Sequence, residues 1–485
     1  MKRYPVIILG AGMSGICMGI KLRDAGITDF LILEKTDAAG GTWHDNTYPG
    51  ACCDVASHLY SFSFEPKPDW SRAYAPQPEI QAYFEHCIDK YRLRECIRYG
   101  ATVEAAELDE SQGEWQLRLA DGERLACRFL VSGLGQLNRP NIPDFPGLDS
   151  FRGASFHSAR WDHSVSLAGK RVAVIGNAAS AIQFIPPVAR EAAQVTVYQR
   201  SANYLVPRND RAYSAAEIDR FRRFPWLQKL SRLAWYLRQE LFFFGAMLPG
   251  SLRHRLVKWI ARRYLEQEIS DPSLRQVLTP DYPLGCKRIL VSDDYYQALA
   301  AGGIEVVTSP IEGIGPDGVI SADGVERPVD VIIFGTGFKA TEFLAPLEIR
   351  GRGGERLSDC WRDGAWAHRG VAVPGFPNLF MLYGPNTNLG HNSIIYMVEA
   401  QVRYVVRCID KMLAHDIRLL DANREVAARF NEKLQADLED TVWGGECGSW
   451  YKNASGKITN NWPHSSLRFH FSMQRPDFSE FDMSA

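Results

Sequence analysis

Residues 6–9, Val6-Ile7-Ile8-Leu9, form a short unbroken apolar run that ends at Gly10. Such a run bounded by glycine predicts a buried strand. Over residues 15–25 the apolar positions Ile16, Ile20 and Leu22 fall at helical spacing, and residues 30–33 are apolar again. Strand, glycine turn, helix and strand make a βαβ unit, which implies parallel strands and a right-handed crossover. The pattern returns with a strand over 171–175, a helix over 179–190 and a strand over 195–198. Two such units predict an α/β chain with two Rossmann-like dinucleotide-binding domains. Pro140, Pro143 and Pro146 between them read as a linker. Residues 211–281 change character. Pro225 and Trp226 precede amphipathic runs over 227–241 and 252–265, whose polar faces carry Lys229, Arg232, Arg238, Arg253, Lys258 and Arg262. This is read as a helical insertion. Packing on the second domain is the plain expectation; a substrate-channel wall or a membrane-surface helix pair is the sharper one. The stretch 241–248, with three consecutive phenylalanines, is the most lipid-like and far too short to span a bilayer.

Composition narrows the class. Apolar residues make up 46% of the 485 and charged residues 23%, which excludes intrinsic disorder. A formal net charge of -2 provides no global field for nucleic acid. Ten cysteines without a CxxC pair or a metal-type Cys/His spacing point to reduced thiols in a cytoplasmic protein. The adjacent Cys52 and Cys53 are read as two packed thiols. Met1-Lys2-Arg3 and the run after it are too short for a secretory signal.

The turn of the first unit is Gly10-Ala11-Gly12-Met13-Ser14-Gly15, with Glu34 at the end of the next strand. Gly10 suits the tight turn, Gly12 the approach of a pyrophosphate, and Gly15 the packing of helix on strand. Glu34 is placed to accept bonds from ribose hydroxyls. The second turn is Gly176-Asn177-Ala178-Ala179-Ser180-Ala181, where Ala178 and Ala181 replace the later glycines. Glu34 stands 24 positions after Gly10, and Arg200 stands 24 after Gly176. A carboxylate suits a free 2′-hydroxyl and an arginine suits a 2′-phosphate. The first site is therefore assigned to FAD and the second to NADPH, with the methyl of Ala178 expected to crowd the pyrophosphate. Gly41, Thr42 and Trp43, then Tyr48-Pro49-Gly50 and Asp54, follow the acidic strand end and can wrap a bound flavin. A last segment, Phe151 to Asp162, precedes the second unit and contains Gly153, His157 and Trp161.

Together these residues resemble the type I Baeyer–Villiger monooxygenases, within the class B flavoprotein monooxygenases. The fingerprint FxGxxxHxxxW-D is matched by Phe151, Gly153, His157, Trp161 and Asp162, and GGxW…YPG…D by Gly41, Trp43, Tyr48, Pro49, Gly50 and Asp54. Gly285-Cys286-Lys287-Arg288 is similar to the segment that bears the family's active-site arginine. Phe334 to Phe338 is similar to its ATGF segment, with Gly335 where alanine is usual. The resemblance implies NADPH reduction of FAD, addition of dioxygen to give a C4a-peroxyflavin, and attack on a ketone. The resulting tetrahedral (Criegee) adduct rearranges to an ester or lactone, with sulfoxidation as a side activity. It implies that Arg288 is the permanent cation beside the flavin, tuned by Asp54, and that His157 and Trp161 act at the hinge between domains. Ser180, Ser201, Lys287 and Gly337 join the cofactor-binding set, and Trp450 is the candidate for the substrate pocket. Residues 386–391 read as a Gly/Asn loop near the flavin. The expected division is an FAD domain from 1–150 and 376–485, and an NADP domain from 151–375. Two other readings stay open: an N- or S-oxygenating flavin monooxygenase, and a non-catalytic FAD/NADPH-binding sensor.

Overall fold

The computed structural model describes residues 1–445, 447–449, 451–453 and 455–484. Its first sheet is built on β1 (Lys2–Leu9), with β2 (Phe30–Leu33) and β3 (Ile97–Arg98) on one side. On the other side lie β6 (Arg124–Ser132), β5 (Glu114–Leu119) and β4 (Val103–Asp109). β1 runs parallel to both neighbours, with Leu9 opposite Leu33 and opposite Ser132. Ile7 and Ile8 are fully buried, as a strand covered on both faces requires. The helix α1 (Met13–Asp24) supplies the crossover and buries Ile16, Ile20 and Leu22.

Two late strands complete this sheet. Glu348–Arg350 pairs with β4, and Leu379–Met381 pairs with the end of β6. The return to the first sheet thus starts at residue 348, ahead of the expected 376. The long helix Ile394–Ala414 packs against α1 and buries eleven of its side chains.

The second sheet is wholly parallel. It runs Ile304–Val307, β9 (Gln194–Tyr198), β8 (Arg171–Ile175), Val331–Phe334 and β7 (Ala154–His157). The helix Ala181–Glu191 follows β8 and faces the core with Ile182, Phe184, Ile185 and Val188.

The insertion is helical, and its polarity differs from the expectation. Helix Pro225–Arg238 turns Gln228, Ser231 and Arg232 inward, against the first domain, and leaves Lys229 and Arg238 exposed. Gln228 donates to the Lys67 carbonyl, and Arg232 Nη1 donates to the carbonyls of His58, Leu59 and Ser61. Its apolar stripe of Trp226, Leu230, Leu233 and Leu237 faces solvent. Arg232, expected on a solvated face, is a part-buried anchor because segment 58–61 turns its carbonyls toward the helix and away from water. A π-helical turn, Gln239–Phe243, carries the chain from this helix toward Leu252–Glu268.

Candidate active site

The first turn is held by backbone. Gly10 has φ +95°, and a Cβ on Gly15 would lie 1.9 Å from the Gly10 carbonyl oxygen, so α1 rests directly on the turn. A Cβ on Gly41 would lie 3.0 Å from the Cα of Gly12, and the Gly40 N–H donates to the Ala11 carbonyl. Gly41 and Gly12 therefore form one side-chain-free cradle with room for a pyrophosphate. Glu34 is buried. It accepts from the Ala11 N–H at 2.8 Å on one oxygen and from the Thr36 N–H and hydroxyl on the other. It thus fastens the loop as well as offering its remaining lone pairs to a ribose. These features fit FAD. Thr42 and Trp43 open the short helix Thr42–Asp45, and Trp43 Nε1 donates to the Tyr60 hydroxyl at 2.9 Å.

The second turn also fits its cofactor. Lys287 Nζ donates to Ser201 Oγ at 2.6 Å. Burial holds the Lys287 ammonium below its usual range, and Arg200 adds repulsion. Among the described residues neither cation has an ion-pair partner, so the cluster of Arg200, Ser201 and Lys287 suits a 2′-phosphate. Asn177 ties the turn to Gln199 and to the Ser201 carbonyl. Ala178 is exposed, and Ser180 stands at the start of helix Ala181–Glu191. Gly176, at φ +103°, lies where a Cβ would meet the Gly335 oxygen at 2.4 Å. Gly337 lies just beyond, at φ +78°, and its carbonyl accepts from the Asn141 N–H in the linker.

Between the two turns, Arg288 Nη2 donates to Asp54 Oδ2 at 2.5 Å. Both side chains are about one-third open, at 33% and 27%. The Asp54 carboxylate holds the guanidinium above its ordinary pKa, so Arg288 stays charged. Three tyrosines flank the pair, Tyr451 buried and Tyr60 and Tyr383 partly buried. Burial pushes the Tyr451 phenol up to about 12 and keeps Tyr60 and Tyr383 above their usual range. All three are uncharged at neutral pH. Tyr383 stands at φ +58° and donates to Asn388 Oδ1 at 2.6 Å. Asn388 in turn donates to Asn461. The Gly/Asn loop at 386–391 is thereby bonded to the 458–462 segment and, through Tyr383, borders the Arg288 pair.

His157 is buried at the end of β7, in register with Phe334, and its ring lies 5.6 Å from that of Phe338. Its Nδ1 accepts from the Ala159 N–H, and burial pushes the imidazole down to about 4. It is a neutral, structurally fixed ring at neutral pH. Trp161 packs edge-on against Phe156 and Phe184. Its neighbours reach the first domain, Arg160 toward Asp45 and His163 toward Thr47.

Sequence reasoning missed Gln183, which fastens the domains together. Its Oε1 accepts from the Tyr48 hydroxyl and its Nε2 donates to the Cys52 carbonyl. Beside it is a cleft of ≈ 530 Å³ lined by Tyr48, Gly50, Cys52, Arg208 and Asp210. Seven positions after Gly176 on a helix was the available signal for Gln183. Tyr60, Tyr383 and Tyr451 carried none, because their convergence is purely tertiary. Trp450 lies outside the described residues.

The expectation of reduced thiols is corrected at two positions: Cys286 and Cys447 form a disulfide across 161 residues of sequence. Spacing gave no hint, because folding brings two remote loops together. The other eight cysteines, Cys52 and Cys53 among them, are free.

The flavin-binding monooxygenase-like family model matches residues 2–347. A Baeyer–Villiger monooxygenase of Pseudomonas aeruginosa is 44% identical over 100% of this chain and 92% of its own. Another, from Streptomyces coelicolor, is 41% identical over 99% and 92%. A structure of an oxidized steroid monooxygenase bound to NADP superposes with a TM-score of 0.89 at 30% identity, covering 99% of both chains. A closed cyclohexanone monooxygenase gives 0.90 at 27% identity, covering 100% of both.

Proposed function

The chain belongs to the flavin-binding monooxygenase-like family, as one of its Baeyer–Villiger monooxygenases, and on that premise we propose that the Asp54–Arg288 pair is the centre of its ketone oxygenation. FAD, reduced by NADPH, supplies the oxygen-transferring chemistry when bound. Gly10, Gly12, Gly15, Glu34, Gly41, Thr42 and Trp43 hold FAD on the first sheet. Gly176, Ala178, Ser180, Arg200, Ser201, Lys287 and Gly337 hold NADPH on the second. The domain division follows those two sheets, and the insertion belongs to the NADP domain.

The observation that carries this reading is a guanidinium fixed by one carboxylate and ringed by neutral tyrosines. Negative charge that develops beside it in the ketone reaction is stabilised by a cation already in place. Because an arginine does not give up its proton, Arg288 stabilises that charge without quenching it. Asp54 orients the guanidinium through a charge-assisted hydrogen bond. His157, neutral and wedged between β7 and the Phe338 segment, acts by position, and Trp161 sets the approach of the two domains.

Arg288→Ala is expected to cut ester formation from a ketone by on the order of 10²–10³ while NADPH consumption continues. Gas chromatography of products alongside NADPH absorbance reads both. Unchanged ester yield in Arg288→Ala would refute the assignment.

A further inference from the structure

We propose that the two long helices of the insertion, Pro225–Arg238 and Leu252–Glu268, form a docking face for an anionic lipid bilayer, lying in its interface without crossing it.

The first helix has its amphipathicity inverted. Gln228, Arg232 and Tyr236 face the protein and find carbonyl or hydroxyl partners there. Trp226, Leu230, Leu233, Leu237 and Leu241, spaced four, three, four and four apart, are 41–57% exposed. That spacing is one continuous face of a helix. The chain that follows repeats the arrangement: Leu248, Leu252, Leu256 and Trp259 are 37%, 82%, 43% and 58% exposed. The second helix buries Val257, Ala261, Tyr264 and Leu265 on its other side. Scattered exposed leucines need no explanation, but two periodic stripes on consecutive helices mark a surface that is covered in use.

Charge selects what covers it. Residues 220–263 hold eleven Lys and Arg and one acid, Glu240. Glu240 is buried, accepting from Ser466 and Asn392. The stripes are therefore flanked by cations such as Arg223, Lys229, Arg253 and Lys258 in a chain whose net charge is -2. A second copy docked symmetrically on this face would bring like charges together. Anionic headgroups neutralise the flanks while the leucines and tryptophans enter the acyl boundary. No helix among the described residues is long and apolar enough to cross a membrane, so the contact is interfacial.

The inference is independent of the catalytic assignment. The test is flotation of full-length, FAD-loaded protein with vesicles of phosphatidylcholine alone or of phosphatidylcholine with phosphatidylglycerol. The protein is expected to float with the phosphatidylglycerol vesicles and to be released by high salt. Leu230→Glu/Leu237→Glu/Trp259→Glu should lower the bound fraction on the order of tenfold, with flavin absorbance and NADPH consumption retained. Should that variant fail to load flavin, Lys229→Glu/Lys258→Glu provides the same readout through charge alone. Wild-type protein that stays unbound with both vesicle types overturns the proposal. So does a concentration-dependent dimer, seen by sedimentation velocity without lipid and dispersed by the same substitutions, which would assign the face to self-association.

Discussion

Ala181 and Gly335 occupy facing positions in the NADPH turn, and each departs from the pattern that the sequence resembles. A Cβ built on Gly335 lies 3.0 Å from the Cβ of Ala181. The methyl that is usual at position 335 is carried here by position 181, so the two departures compensate. Gly335→Ala is expected to cost about 1–3 kcal/mol by overpacking and to raise the KM for NADPH. Ala181→Gly/Gly335→Ala should recover most of that loss, apart from roughly 0.5–1 kcal/mol for a glycine in the helix. A double-mutant cycle in Tm and KM measures the coupling. At the same scale, burial holds His157 and His58 near pKa 4 in the folded state. Between pH 6.5 and 4 the unfolded chain takes up protons that the folded chain refuses, so stability is full above 6.5 and falls as pH drops. Each histidine contributes on the order of 3 kcal/mol to that fall. His157→Asn should flatten the pH dependence of chemical denaturation by about one proton. The place of Glu34 was legible because motif spacing fixes backbone geometry, and the pairing of Asp54 with Arg288 was implied by the family resemblance. The compensation at 181 and 335 was not, because it is a contact between segments more than 150 residues apart.

Elements with both faces buried read well from the chain. The strands Phe30–Leu33 and Arg171–Ile175 fall on the residues their apolar runs predicted. The insertion shows where periodicity stops informing: it locates helix Pro225–Arg238 but not which face turns inward. The usual assumption that the apolar stripe is buried is reversed by Arg232, whose guanidinium caps three carbonyls of the 58–61 segment. Those carbonyls have no signature in the sequence. Arg232→Ala removes these bonds and leaves buried acceptors unpaired, at a cost of about 2–4 kcal/mol. A lower Tm and faster loss of FAD on dilution are expected, measured by thermal denaturation followed through flavin fluorescence. Arg232→Lys should recover only part, because its ammonium sits on a shorter, differently shaped stem and is not held where Arg232 Nη1 meets the three carbonyls.

The whole molecule is stapled by Cys286–Cys447, which joins the loop carrying Lys287 and Arg288 to the C-terminal segment before Tyr451. Thiol titration of the unfolded protein should count eight groups before reduction and ten after. Reduction should lower stability by about 2–4 kcal/mol, read as a shift in the denaturant midpoint. The two-domain plan was legible from the paired βαβ units; the staple and the early return at Glu348–Arg350 were not, since neither leaves a local pattern. That return also sets an order of events during synthesis. The second sheet draws only on residues 154–334 and is complete once that stretch has emerged. The first must wait, with the end of β6 lacking Leu379–Met381 and α1 lacking the cover of Ile394–Ala414. At about 5–20 residues per second, translating the roughly 250 residues from Ser132 to Leu379 takes on the order of 12–50 s. Throughout that interval the nascent protein has a half-built flavin domain on the N-terminal side of a finished nicotinamide domain, with a sheet edge open to pairing elsewhere.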